Sequence, residues 1–252
     1  MKFVILGCGS SMGVPRADGF FGNCNSNNPK NFRTRCSALI KCKKQNILID
    51  TSPDLRTQML KNRIKNVDHV LYTHSHADQT HGINDLRVFF LKKKIKLPVY
   101  ADKKTKKYLL DSFSYCFKDY KDYPAILNLL DIKDKMNINK ILSVETLPVK
   151  HGSIKSLSFI MNKKIAYLPD ANEIYVKDYK KFMNLKYLVI DCLRHKTHPS
   201  HFNLDDVLEL NILFKPKKMI LTNLHSDLDY DKLMNILPKN VKPAYDGLTL
   251  DF

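Results

Sequence analysis

The sequence predicts an α/β protein in which two β-sheets lie face to face with helices on their outer sides. Three observations lead there. Short apolar runs of strand length recur along the whole chain, with antiparallel-looking pairs towards both ends and strand–helix units filling each half. The 252 residues suit a single α/β domain, and a hydrophobic fraction of 44% is enough for a real core. No interior linker or repeat divides the chain, so residues 1–252 are expected to form one domain.

The elements follow in order. Residues 2–6 read as a buried strand, and a Gly/Ser-rich loop opens at Gly7. That loop is not a GxGxxG turn leading into a helix, because Pro15 and a polar stretch follow, which argues against a dinucleotide fold. It continues to Arg35 with little periodicity, a length usually kept for function. Residues 37–41 and 46–50 look like an antiparallel pair joined by a Lys-rich turn. Pro53 and Asp54 mark a helix start, with an end near Asn62. Residues 68–72 form a strand, 82–91 a helix and 98–101 a further strand. From 102 to 140 the pattern is helical, Lys-rich and partly aromatic, an amphipathic insertion packed on the body or a cover for substrate. Strands resume at 143–149, 156–161 and 164–168. A helix near 174–183 and the strand Tyr187–Asp191 come next. Residues 203–213 form a helix with Asn203 as N-cap and Asp205 and Asp206 in its first turn. Strands at 219–222 and within 242–252 close the chain.

Composition sets limits on function. No apolar run approaches the ~20 residues that span a bilayer, and no signal peptide precedes the first strand, so a cytoplasmic protein without membrane association is expected. The six cysteines show no CxxC and are expected to be reduced, mostly buried thiols. The net charge of +17 suggests nucleic acid as a partner, but only seven of the 42 basic residues are Arg and the Lys are spread along the chain. A solvated basic surface is the favoured explanation, and such a field still attracts a small phosphate ester.

The most informative stretch is Thr73-His74-Ser75-His76-Ala77-Asp78, where a strand runs out into a loop. Two imidazoles and a carboxylate at this spacing suit a divalent transition metal. His151, Asp170, His201, His225 and Asp246 follow, several of them just past apolar strands, so they can converge on one rim. Arg16, Arg33 and Arg35 in the first loop either grip a substrate phosphate or brace the loop through carboxylates. His195 and His198 flank His201, Asp191 ends a strand where it can orient a neighbour, and Asp50 reads as a bracing carboxylate.

In this ordered series the chain resembles the metallo-β-lactamase superfamily over essentially its whole length. The resemblance leans towards the branch containing phosphoribosyl cyclic phosphate phosphodiesterase. The residues that carry it are the loop Leu6-Gly7-Cys8-Gly9-Ser10-Ser11-Met12-Gly13-Val14-Pro15, the segment Asp50-Thr51-Ser52-Pro53-Asp54-Leu55-Arg56, His201-Phe202-Asn203-Leu204 and Asp246-Gly247. It implies a four-layer αββα sandwich and a metal-dependent phosphodiesterase of small cyclic or nucleotide-like phosphate esters; a homodimer is a candidate assembly. A tRNA 3′-end endonuclease of the ribonuclease Z type, a thioester or lactone hydrolase and a metal-binding protein without activity are the alternatives. By the resemblance, Zn or Mn is held as one or two ions per chain, the first on His74, His76 and His151. Asp170 bridges, Asp78 and His225 hold the second ion, and Asp246 orients a ligand imidazole from behind. A water acidified by the ions attacks phosphorus, and His201 supplies a proton to the leaving oxygen. The family's Cys-rich structural zinc site is expected to be absent, since only Cys24 lies in the matching region. Two departures fall on the second metal: the motif's closing His is replaced by Gln79, and the last strand ends Thr222-Asn223 instead of Thr-His. His81 and His225 are the nearby imidazoles available to compensate, with Gln79 left behind the ligands.

Overall fold

A computed structural model describes residues 1–138 and 140–252. Among them, fourteen strands form two seven-stranded sheets. The first contains β1 (Lys2–Gly7), β2 (Ser37–Cys42), β3 (Gln45–Ile49), β4 (His69–Leu71), β5 (Leu97–Ala101) and β6 (Leu127–Asp131). The second contains β7 (Lys135–Ile138), β8 (Leu142–His151), β9 (Ile154–Met161), β10 (Ile165–Leu168), β11 (Tyr187–Asp191), β12 (Lys218–Thr222) and β13 (Val241–Pro243). β14 (Thr249–Asp251) returns to pair with β1, giving the orders β14-β1-β2-β3-β4-β5-β6 and β13-β12-β11-β10-β9-β8-β7. Each sheet is antiparallel on one side and parallel from β3 to β6 or from β10 to β13.

Strand alternation explains the layers. Phe3, Ile5, Ile40, Ile47 and Ile49 face the second sheet and meet Val144, Phe159, Tyr167 and Val189 between the two. The intervening residues Val4, Leu6, Leu39, Leu48 and Val70 point the other way. They pack beneath α1 (Leu55–Lys61), α3 (Arg87–Lys93) and α4 (Lys103–Ser112), with the short α2 (Ala77–Thr80) lying between β4 and α3 in sequence. On the far side Ile160, Ala166, Leu168, Leu188 and Ile190 pack under α6 (Tyr179–Phe182), α7 (Leu204–Phe214) and α8 (Tyr230–Ile236). Because both faces of each sheet are covered, the strands read as nearly unbroken apolar runs. Each fully buried side chain of this kind contributes about 1.5–3 kcal/mol. This is the four-layer sandwich that the sequence implied.

The expected insertion is only partly helical. α4 and α5 (Ser114–Phe117) occupy its first half, but β6 and β7 follow, one at the edge of each sheet. Leu-rich Leu127–Asp131 has helix propensity, yet its pairing along β5 prevails over that local preference. Asn139, within the same stretch, lies outside the described residues. No helix among the described residues is long and apolar enough to cross a membrane.

Candidate metal centre

Five strands bring their C-terminal ends to one rim. β4 runs out into His74 and His76, β8 ends at His151, β10 leads to Asp170, β11 ends at Asp191 and β12 leads to Asn223. These ends surround a cleft of about 360 Å³, whose wall also includes Ser10, Ser11 and Met12 of the first loop.

His74, His76 and His151 come together at the base. Their ring centroids are 4.5, 5.1 and 5.0 Å apart, and one ligand atom from each lies within 4.8 Å of the others. The surroundings decide which nitrogens are free. His151 Nδ1 donates to the Ser200 carbonyl at 2.7 Å, which leaves Nε2 with its lone pair. His74 Nδ1 lies 3.0 Å from Thr73 Oγ1 and 3.4 Å from Ser156 Oγ, while its buried Nε2 has no partner among the described residues. His76 Nδ1 stands 3.3 Å from His151 Nε2. Burial lowers the pKa of all three, pushing His151 down to about 4 and His74 well below its ordinary value. Neutral imidazoles converging on one point, one with an orphaned nitrogen, fit a divalent cation.

The carboxylates form the neighbouring layer. Asp170 is buried, and its pKa is raised well above the usual range by burial first and Asp78 second. Gln79 Nε2 donates to Asp170 Oδ2 at 3.1 Å and to Asp78 Oδ2 at 3.2 Å. Asn223 Nδ2 donates to Asp170 Oδ1 at 3.3 Å and to Asp191 Oδ1 at 3.1 Å. Asn223 holds φ at 60°, a left-handed conformation that Asn tolerates better than most residues. Its role was missed in the sequence, although its place after Thr222 was the available signal.

His201 stands beside this layer. Its Nδ1 lies 2.7 Å from Asp191 Oδ2, and its ring is 4.7 Å from that of His151. Burial alone would lower its pKa, but Asp191, Asp170 and Asp78 outweigh that and raise it to about 9. Asp191 therefore orients a neighbour, as its place at a strand end suggested. His151, Asp170 and His201 also make a group of ligand-capable atoms within 4.8 Å.

Other expected participants sit elsewhere. His225 lines the cleft, but its Nδ1 pairs with Asp227 at 2.9 Å and it joins neither ligand-capable group. His81 turns outward, with Nε2 3.0 Å from the Tyr108 hydroxyl, so it does not replace the missing imidazole. Among the described residues, Asp246 forms no hydrogen bond with a histidine. It accepts from Thr34 N at 2.8 Å, Thr34 Oγ1 at 2.6 Å and Cys8 N at 3.1 Å, which ties the first loop to the chain's end. Asp50 reaches the His74 imidazole through Thr73: it accepts from Thr73 N and Thr73 Oγ1 at 2.8 Å each. Thr73 in turn contacts His74.

The three arginines separate. Arg33 is 2% exposed and donates to the Leu228 carbonyl at 2.7 Å, Asn31 Oδ1 at 3.0 Å and the His225 carbonyl at 3.3 Å, so it braces the loop and is closed to substrate. Arg16 pairs with Asp18, and Arg35 Nε lies 3.0 Å from Asp54. Both remain partly exposed and line a second hollow that shares Ser11, Met12 and Asp78 with the metal cleft.

Comparison with known proteins places this geometry. A family model described as a beta-lactamase superfamily domain matches residues 45–223. The octanoyltransferase of Porphyromonas gingivalis (strain ATCC BAA-308 / W83) is 32% identical over 254 residues, which covers 98% of this chain and 51% of that protein. The chain thus spans about half the length of this curated relative. A crystal structure of a diphosphatase from the PhnP family is similar with a TM-score of 0.90 and 30% identity, covering 100% of this chain and 97% of that one. Zn(2+)-bound PqqB from Methylobacterium extorquens shares the fold with a TM-score of 0.82 at 16% identity, covering 100% of both chains.

Proposed function

The chain belongs to the beta-lactamase superfamily, and from that membership we propose that it is a metal-dependent hydrolase, a phosphodiesterase of small cyclic or nucleotide-like phosphate esters. The observation that carries this reading is the meeting of His74, His76 and His151 on a cleft bordered by cationic side chains. In it, those three imidazoles hold the ion, Zn or Mn. When bound, the ion supplies Lewis acidity towards water and the phosphoryl oxygens. Arg16 and Arg35 receive phosphate oxygens from the adjoining hollow. His201, held by Asp191 through Nδ1, presents its other nitrogen as a proton donor to the leaving oxygen. Its raised pKa keeps that proton in place at neutral pH. The diphosphatase at 30% identity supports a phosphorus-centred reaction. Six free, buried thiols support a reducing, cytoplasmic setting.

Hydrolysis of bis-p-nitrophenyl phosphate with added Mn or Zn tests the reading. The wild type is expected to turn over, and His76→Ala to lose on the order of 100-fold or more. Cleavage of thioesters without cleavage of the phosphodiester would reject it. Cleavage of precursor tRNA with steep salt dependence would assign the chain to nucleic acid instead.

A further inference from the structure

We propose that the carboxamides of Gln79 and Asn223 take the place of a second cation, so that this site holds a single ion per chain. The inference deepens the metal-dependent reading and rests on the three imidazoles as ligands. Its basis is the saturation of Asp170. One oxygen of this buried carboxylate accepts from Gln79 at 3.1 Å and the other from Asn223 at 3.3 Å. The same two amides reach onward to Asp78 at 3.2 Å and Asp191 at 3.1 Å. Three carboxylates are thereby strapped together by two neutral groups.

The chemistry of the donors makes this exclusive. An ionised carboxylate only accepts, so each amide turns its NH₂ towards it. An NH₂ group offers partly positive hydrogens and no lone pair. A cation placed among these carboxylates would meet N–H dipoles pointing at it. An imidazole at either position would offer a lone pair, which is the difference between ligand and substitute.

Neither amide is free to swing away at low cost. Gln79 is 0% exposed; its main-chain carbonyl accepts from Thr51 N at 2.8 Å, and burial alone confines its side-chain amide, whose Oε1 has no partner among the described residues. Asn223 is 1% exposed and fixed at the end of β12 with φ at 60°.

His151 adds a second constraint. It belongs to both groups of ligand-capable atoms, but its Nδ1 is committed to the Ser200 carbonyl. One remaining lone pair serves one ion. The group with His74 and His76 contains the orphaned Nε2 of His74, so the ion goes there.

The test is a metal count on the purified full chain. Protein is saturated with Zn²⁺, freed of unbound ion by gel filtration and assayed by mass spectrometry for zinc. A parallel Mn²⁺ sample is read by electron paramagnetic resonance. The wild type is expected to retain about one zinc per chain and to show an isolated Mn²⁺ spectrum. The Gln79→His/Asn223→His variant is expected to retain about two and to show the coupled spectrum of a metal pair. Two tightly held ions in the wild type overturn the proposal. So does a folded double variant that still holds one, or a His76→Ala variant that keeps the wild-type count. If the double variant does not fold, the wild-type count and spectrum decide the matter. The counts need no substrate, so failure of the phosphodiesterase reading is a separate result.

Discussion

Asp246 collects two backbone amides and a hydroxyl into a partly buried site, and desolvation pushes its carboxyl up to about 6. An unfolded Asp titrates near ~3.9, so the folded chain binds the proton more tightly. The associated stability is complete below about pH 4 and is lost as pH rises through about 6. Relative to Asp246→Asn, which cannot titrate, the wild type should lose on the order of 2–3 kcal/mol between these limits. Urea midpoints of both proteins at pH 4 and pH 7.5 measure it, and a constant gap between them would refute the assignment. Residues differ in how far the sequence reveals them. His74, His76, His151 and Asp170 are readable because each lies within a few residues of the end of an apolar run, so local chain direction already sends them to the rim. Arg33 is not, because its acceptors are carbonyls of residues 225 and 228, far along the chain. The different settings of His201 and His225 are equally hidden. Asp191 draws the first inward and Asp227 engages the second, and sequence spacing carries neither fact.

At the scale of elements, α7 is the clearest case of local chemistry fixing structure. Asn203 Oδ1 accepts from Asp206 N, and Asp206 Oδ2 accepts from Asn203 N, each at 3.0 Å, a reciprocal capping box. Replacing Asn203 with Ala should cost ~1 kcal/mol in a denaturant titration, within a range of ~0.5–2. A loss under about 0.3 kcal/mol would mean that the cap is not formed in solution. This helix start was visible in the residues themselves. α8 was not anticipated, although Asp229 caps it by accepting from Lys232 N at 2.9 Å and Pro238 lies just beyond its end. Seven residues hold too few turns for a periodic signal to stand out. β6 failed for the opposite reason: its leucines suit a helix, and only the edge of β5 makes them a strand.

Across the whole molecule, the two sheets meet through a dry layer that contains a polar flaw. Tyr167 packs against Phe3 at 5.3 Å between centroids, is 0% exposed, and its hydroxyl has no partner among the described residues. Tyr167→Phe keeps the ring and removes the stranded group, so stability should hold or rise by up to ~1–2 kcal/mol. A loss of more than about 1 kcal/mol in the urea midpoint would show that the hydroxyl is bonded after all. The number of layers could be read from strand and helix order. The return of β14 to β1, almost the whole chain away, could not, since nothing local to residues 249–251 names its neighbour.

The bond from His151 to residue 200 has an evolutionary consequence. Its acceptor is peptide oxygen, present whatever codon stands at that position. No single missense change at 200 deletes it. Only a rerouting of the polypeptide can, so the proton arrangement of this imidazole is inherited with the course of the loop.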